Sequence, residues 1–193
     1  SPERKPLAAA LIACRQAWPA QAAAADLFLD LLQEGRHAFL RERLSGHFTG
    51  SAWLVSADGQ RVLLTHHRKL DRWLQLGGHA DSDVDLGRVA LREAEEESGL
   101  ADLVVESEIF DLDRHWIPER ADVPGHWHYD VRFVVRATVS EDFTVSAESH
   151  ALAWREIVGK PLTQMQTNHC GEWPDVGLSA NVSGNRESVG AGN

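Results

Sequence analysis

The sequence predicts an α/β fold, specifically an α/β/α sandwich built on a mixed β-sheet, with an N-terminal helical extension. Apolar residues recur at helical spacing near the N-terminus, and later segments alternate in the manner of strands. One charged helix falls between these strands. Strands on both sides of a helix, with other helices before them, favour a sheet that packs between helical layers. At 193 residues the chain suits one domain with a substantial core.

Two helices are predicted at the N-terminus, over residues 7–18 and 20–34, with Pro19 between them. The second helix carries an apolar stripe at helical spacing, formed by Leu27, Phe28, Leu31 and Leu32. Such a stripe is normally covered, so we expect these helices to pack on the main domain or on a second subunit. We assign residues 1–45 to this helical extension.

The strands are predicted from alternation and from turn residues. Residues 49–57 and 61–67 form strands on either side of Asp58-Gly59, a pair that is typical of a hairpin turn. A short strand near 73–76 then leads to the charged helix at 86–98. The later elements are predicted, in order, as a strand at 103–110, a loop at 111–125, a strand at 126–137, a strand near 151–155 and a short helix near 155–158.

The end of the chain differs in character from the rest. Beyond Pro161 the residues become rich in Asn, Ser and Gly and show no sustained apolar period. This composition is typical of segments that cannot bury enough apolar surface to fold. We therefore assign residues 46–160 to the main domain and residues 161–193 to a loose or disordered tail.

Composition excludes several classes of function. The net charge of −10 argues against general binding to nucleic acid or to a membrane surface, since both favour basic proteins. No run of residues is apolar enough to span a bilayer. The two cysteines, Cys14 and Cys170, are far apart in sequence, which is typical of reduced thiols in a cytoplasmic protein.

The most informative segment is Arg92–Leu100, which contains acidic residues at helical spacing. Glu93, Glu96 and Glu97 are three or four residues apart, so their side chains project from one side of a helix. Such a cluster of like charges is unfavourable unless a cation neutralises it. Hard divalent cations such as Mg²⁺ bind oxygen ligands of this kind, particularly where the ion also contacts substrate phosphates.

The segment Gly78–Leu100 resembles the Nudix box, the signature of the Nudix hydrolase family, which reads G-x5-E-x7-R-E-U-x-E-E-x-G-U with U a bulky aliphatic residue. Gly78 takes the opening glycine, and the closing positions match through Arg92, Glu93, Glu96, Glu97, Gly99 and Leu100. One position departs, because Val84 stands where the box has its first glutamate. Valine cannot bind metal, so we expect a weaker metal site. Asp83 and Asp85 flank it and are candidate substitutes.

The resemblance implies a fold, an activity and a cofactor. It implies a sandwich over about residues 48–160 and a divalent-metal-dependent pyrophosphohydrolase. Such an enzyme cleaves the diphosphate linkage of a nucleoside diphosphate that is joined to another moiety. Mg²⁺ or Mn²⁺ is the implied cofactor. The implied metal ligands are Gly78, Glu93, Glu96 and Glu97.

The resemblance also implies catalytic roles. Glu96 and Glu97 belong to the catalytic set, and Arg92 is expected to orient a box glutamate through a charge-assisted hydrogen bond. In many members of the family a glutamate in a loop before a late strand serves as the base. Glu148 occupies such a place in this sequence. Glu97 is the alternative base.

Candidate substrate contacts lie near the box and along one strand. His79 follows the glycine pair and could donate to a phosphate, while Arg68 and Lys69 form a local basic spot on an acidic chain. Four polar residues alternate along the strand at 126–137 and therefore share one face, namely His126, His128, Asp130 and Arg132. Each group has a plainer alternative: a loop histidine, a solvated hairpin end and the solvated face of a sheet.

Two other functions remain open. A Nudix-like module that binds or senses a nucleotide metabolite without cleaving it is favoured by Val84 alone. An isomerase of prenyl diphosphates ranks last, because the related family uses a catalytic cysteine and neither cysteine of this chain lies near the box. The expected partner is a small-molecule nucleoside diphosphate derivative, not a nucleic acid or a membrane. Since many members of the family are dimers, a homodimer through the N-terminal helices is a further hypothesis.

Overall fold

A computed structural model describes residues 2–67, 72–145 and 149–157 of the chain. Its helices are α1 Lys5–Ala17, α2 Ala22–Gln33 and α3 Leu86–Ser98. Its strands are β1 Gly46–Val55, β2 Arg61–His67, β3 Arg72–Leu74, β4 Leu76–His79, β5 Val104–Ile117, β6 His126–Arg136 and β7 Ser149–Glu156. Within the described residues the strands form one seven-stranded sheet in the order β3-β2-β1-β6-β5, with β4 paired to β1 and β7 paired to β2.

Strand β1 forms the centre of the sheet and is buried along its whole length. On one edge β6 pairs with it in parallel, while the other strand pairs are antiparallel, so the sheet is mixed. On the other edge β4 pairs with the middle of β1, with Thr49 opposite His79 and Gly50 opposite Gly78. The residues that lead into α3 are thereby held against the centre of the sheet.

Helix α3 has clear signals at both ends. The Asp85 side chain accepts a hydrogen bond of 3.0 Å from the backbone N–H of Arg88, as expected of a helix N-cap. Gly99 ends the helix in the left-handed conformation at φ 70°, which glycine adopts without steric cost. A Cβ at Gly50 would lie 2.8 Å from the Leu86 carbonyl oxygen, so the helix rests directly on β1. The predicted helix at 86–98 is confirmed.

The main apolar core joins all three helices to one face of the sheet. It contains Leu11 of α1, Phe28 of α2 and Val89 of α3, each fully buried. The Phe28 ring lies 6.1 Å from the Phe48 ring and 5.3 Å from the Tyr129 ring, measured between centroids. A smaller cluster that includes Trp53 and Phe110 forms a separate apolar core. The predicted α/β fold, with its mixed sheet and N-terminal helical segment, is confirmed.

Several predicted boundaries are wrong, including the start of the first strand, which begins at Gly46 and not at residue 49. The predicted loop at 111–125 begins too early, because β5 continues to Ile117 and stays paired with β6. The predicted helix near 155–158 is wrong at residues 155–156, which continue β7 and pair with β2. The predicted single strand near 73–76 is divided into β3 and β4, which pair with different strands.

Other predictions concern residues beyond the described ones. The predicted tail at 161–193 lies outside them, and so do Arg68, Lys69 and Glu148. Among the described residues, no helix combines the length and the apolar character that a membrane crossing requires.

Candidate active site

The glycines of β4 lie against the acidic side of α3. A Cβ at Gly78 would lie 2.5 Å from Oε2 of Glu93, so only glycine leaves room for this carboxylate. The backbone N–H of Gly77 donates a hydrogen bond of 2.8 Å to Oε1 of Glu97. A Cβ at Gly77 would collide with the Ser51 side chain on β1. The glycine pair therefore allows two box carboxylates to approach the strand backbone.

Arg92 holds the Glu93 carboxylate in place. Its Nη2 donates to Oε1 of Glu93 at 3.2 Å and to the carbonyl oxygen of His79 at 3.1 Å. The Glu93 side chain is only 18% exposed. Burial raises the pKa of Glu93, the contact with Arg92 opposes that effect, and the neighbouring Glu96 adds to it. A cation bound beside these carboxylates would offset their repulsion.

The donors of this site suit a hard divalent cation. Glu96 is exposed on the same side of α3, and Glu97 is half-buried against β4. Together with Glu93 and the backbone of Gly78 they present only oxygen atoms, which are the ligands that Mg²⁺ and Mn²⁺ prefer. The predicted ligands Gly78, Glu93 and Glu97 therefore lie together beside β4, and the oxygen donors of the predicted set fit the ion that the motif implies.

The side chain of Val84 lies in an apolar environment. Its side chain is partly buried and packs against the main core. The flanking carboxylates serve the start of α3: Asp83 accepts two hydrogen bonds from the Arg88 guanidinium, at 2.6 and 2.8 Å, and Asp85 caps the helix. These contacts explain why an acidic pair surrounds a valine here, and they give neither aspartate a contact with the box glutamates.

The polar row on β6 is buried, which contradicts the solvated-face alternative. Asp130 is 2% exposed and accepts hydrogen bonds of 2.8 Å from both Thr49 and Ser51 on β1. Arg132 is 5% exposed, and its guanidinium donates to Asp130, Asp111 and Asp113 at 2.7 to 2.9 Å. These contacts favour a structural role for Asp130 and Arg132 over the predicted contact with substrate.

The charge balance of this network keeps Arg132 protonated. Burial alone would lower the pKa of Arg132, but the carboxylates of Asp130, Asp113 and Asp111 outweigh that effect and raise it. Asp113 also lies 2.9 Å from Nδ1 of His115. Burial opposes ionisation of Asp113, yet His115 and Arg132 together lower its pKa. The network formally contains more carboxylates than guanidinium groups.

A cluster of histidines adjoins this network at the same end of the sheet. The ring of His128 lies 5.0 to 5.4 Å, between centroids, from the rings of His47, His79, His115 and His126. Burial, reinforced by the neighbouring rings, lowers the pKa of His128 to about 2. Burial, with Arg41 and His47 nearby, lowers the pKa of His79 to about 4. His79 and His128 are therefore uncharged at neutral pH.

His79 and His128 were predicted as substrate contacts, whereas His47 and His115 were missed. His47 precedes the strand that was predicted to start at residue 49, and His115 falls in the segment that was predicted as a loop. The alternation of His47, Thr49 and Ser51 was the available signal for a polar face on β1.

Comparison with known proteins identifies the class to which this fold and site belong. The model of the NUDIX domain matches residues 47–165, and the chain therefore belongs to the NUDIX family. The predicted resemblance to the Nudix family is confirmed, as is the general class of hydrolases that act on phosphorus-containing anhydrides. No curated protein matches the sequence.

Solved structures with a similar fold include three from different organisms. A NUDIX-family hydrolase from Clostridium perfringens is 23% identical, over 57% of this chain and 81% of the other, with a TM-score of 0.43. An Ap4A hydrolase from C. elegans is 18% identical, over 56% and 79%, with a TM-score of 0.44. An ADP-ribose pyrophosphatase from Streptococcus suis is 18% identical, over 59% and 76%, with a TM-score of 0.42.

Proposed function

We propose that this protein is a Mg²⁺- or Mn²⁺-dependent pyrophosphohydrolase that cleaves the diphosphate linkage of a nucleoside diphosphate joined to another moiety. One observation carries the proposal: the carboxylates of Glu93 and Glu97 lie against the glycines of β4, and Arg92 fixes that of Glu93. Membership in the NUDIX family supports the same chemistry.

Glu93, Glu96 and Glu97, with the Gly78 carbonyl, would hold the metal. When bound, the ion would offset the charge of the phosphates and lower the pKa of bound water. Arg92 keeps the Glu93 carboxylate turned towards β4 through its two hydrogen bonds. Glu148 is the proposed base that takes a proton from the attacking water, and Glu97 is the alternative.

Three further residues are proposed to contact the substrate. His79 follows Gly78 directly, and its low pKa leaves a neutral ring that can donate one hydrogen bond to a phosphate oxygen. Arg68 and Lys69 are proposed to contact the outer phosphates as charged donors. The substrate is proposed to be a small molecule, and a homodimer in the cytoplasm remains our prediction for the assembly and its location.

A binding or sensing module is the second candidate function. The observation that favours it is Val84, whose side chain packs against the core where a family glutamate would supply a carboxylate. Loss of one acidic group would weaken metal binding without removing the residues that are proposed to contact the nucleotide. The hydrolase and the sensing module would bind the same nucleotide derivative, and only the hydrolase would cleave it.

The test measures phosphate-product release from a panel of nucleoside diphosphate derivatives, with Mg²⁺ and with Mn²⁺. We expect turnover of one compound class by the unaltered protein and a loss of about 100-fold or more in Glu96→Gln and Glu97→Gln. Glu95→Gln is the matched control, because Glu95 is an exposed neighbour on α3 that the box does not use, and it should retain activity. No turnover, together with tight binding by calorimetry, would replace the hydrolase with the sensor.

A further inference from the structure

The histidine cluster contains three side chains whose ring nitrogens converge. His47, His126 and His128 each offer one ligand atom, and these atoms all lie within 4.8 Å of one another. His47 comes from β1, and the other two come from the paired strand β6. Because β1 and β6 are parallel and in register, His47 lies directly opposite His128, and His126 lies two residues further along the same face.

The hydrogen bonds of two rings direct their remaining nitrogens into the cluster. Nδ1 of His126 lies 2.8 Å from the carbonyl oxygen of Pro124, and Nδ1 of His47 lies 3.3 Å from that of Arg43. A carbonyl only accepts, so in both rings Nδ1 carries the proton and Nε2 carries a lone pair. A histidine that donates one N–H to a backbone carbonyl and offers the other nitrogen is the usual arrangement of a metal ligand.

His47 also has an unsatisfied polar atom. Its side chain is 2% exposed, and its Nε2 has no hydrogen-bond partner among the residues that the structure describes. Buried ring nitrogens are normally paired, because leaving one unpaired costs free energy. An ion at the centre of the three rings would satisfy this atom.

The closest pair of nitrogens has the spacing of a metal site. Nε2 of His126 lies 3.2 Å from Nε2 of His128. Two imidazole nitrogens bound at about 2.0–2.1 Å to a tetrahedral Zn²⁺ are separated by roughly 3.3–3.4 Å. The ligand atom of His47 lies within 4.8 Å of both, so small rotations of the rings would bring all three nitrogens into one coordination sphere.

We propose that His47, His126 and His128 form a second metal site, which binds a divalent transition-metal ion of the Zn²⁺ type. Three neutral imidazoles suit such an ion and suit Mg²⁺ poorly, whereas the carboxylates of the box have the opposite preference. A site with three histidine ligands leaves a fourth position for water or a substrate oxygen. Asp130, two residues after His128 on β6, belongs to the network in which three carboxylates surround the one guanidinium of Arg132. This excess of negative charge favours a cation at the histidine site.

The site adjoins the box and is separate from it. His79 follows Gly78, and its ring lies 5.2 Å from the rings of His47 and His128. The proposed ligands come from β1 and β6, and the box carboxylates come from α3. Metal binding at these histidines therefore does not depend on the proposed hydrolysis, and it can be measured without any turnover.

The first experiment measures binding of Zn²⁺ by calorimetry and of Co²⁺ by visible absorption, on the full chain after removal of metal with a chelator. We expect one ion per chain, with the absorption of four-coordinate Co²⁺, and retention of that ion in a large excess of Mg²⁺. Displacement of all the Co²⁺ by Mg²⁺ would place the ion on oxygen donors and overturn the proposal.

Variants then locate the ion. His47→Gln and His126→Gln should lower the affinity for Zn²⁺ by at least the roughly 10–100-fold that loss of an outer-shell partner costs. His115→Gln is the matched control, since its ring contacts His128 without belonging to the three, and it should bind as the unaltered protein does. Glu96→Gln should also bind Zn²⁺ normally. Equal affinity in His47→Gln and the unaltered protein would overturn the site.

A measurement on the unaltered protein covers the case in which a histidine variant fails to fold. X-ray absorption of the Zn²⁺-loaded chain should show the scattering of imidazole rings at about 2.0–2.1 Å, with about three rings per ion. A shell of oxygen atoms without imidazole scattering would overturn the proposal.

Discussion

Arg132 lies on the polar face that the sequence predicted, but its buried partners could not be predicted. The alternation on β6 correctly predicted that His126, His128 and Arg132 share a face. It gave no information on what covers that face, because the partners Asp111 and Asp113 come from another strand. Pairing with those carboxylates allows a guanidinium to be buried, since an unpaired buried charge would be prohibitively costly.

Val84 is the residue at which the box can be restored. Val84→Glu should lower the Mg²⁺ concentration for half-maximal activity, because it returns an acidic group to the position that the family uses. The same change removes an apolar contact with the core and should cost about 1–3 kcal/mol of unfolding free energy. Titration of activity with Mg²⁺, beside urea unfolding, checks both effects.

The matched control is Val84→Gln, which has the size of glutamate without its charge. It should share the loss of stability and leave the Mg²⁺ requirement unchanged. If both variants show the same Mg²⁺ dependence as the unaltered protein, position 84 has no part in the metal site.

At the scale of elements, the strand β4 and the helix α3 form the site because glycine allows their close approach. Gly78→Ala would place a methyl group 2.5 Å from Oε2 of Glu93, so the carboxylate must move away. We expect the Mg²⁺ requirement to rise several-fold. Stability should change by only about 1 kcal/mol, because the displaced group is the end of a flexible side chain. The Mg²⁺ titration and the urea midpoint measure the two effects.

Gly87→Ala is the control for this prediction, since it also adds one methyl group near the same helix. A Cβ at Gly87 would meet its nearest neighbour, Asp85, at an ordinary 3.4 Å. Alanine should stabilise the helix by up to about 1 kcal/mol and leave the Mg²⁺ requirement unchanged. An unchanged requirement in Gly78→Ala as well would mean that Glu93 does not need its present position.

The elements also show what local patterns can and cannot predict. The helix α3, its cap and its glycine stop were predictable, because their signals lie within a few neighbouring residues. The second half of β5 was not predictable, because its polar residues are typical of a loop. In the folded chain Arg132 donates hydrogen bonds to two of them, Asp111 and Asp113. The histidine cluster depends on the parallel pairing of β1 with β6, which joins residues about 80 positions apart in sequence.

At the scale of the whole molecule, the N-terminal helices are part of the core that supports the site. Phe28 of α2 is fully buried between Phe48 of β1 and Tyr129 of β6, and both strands also carry ligands of the proposed histidine site. Phe28, Leu31 and Leu32 of the apolar stripe on α2 are therefore buried within the chain's own core, while Leu27 remains 41% exposed.

This packing predicts a large difference between two neighbouring substitutions on α2. Phe28→Ala should reduce the free energy of unfolding by about 3–5 kcal/mol, because it leaves a cavity between helix and sheet. Leu27→Ala should change it by about 0.5 kcal/mol or less, because that side chain already contacts solvent. Urea unfolding, followed by far-UV circular dichroism and by tryptophan fluorescence, measures both. A similar small loss in the two variants would show that the N-terminal helices do not share the core. A single transition in both signals, shifted strongly by Phe28→Ala alone, is the expected result, because helices and sheet then unfold as one unit.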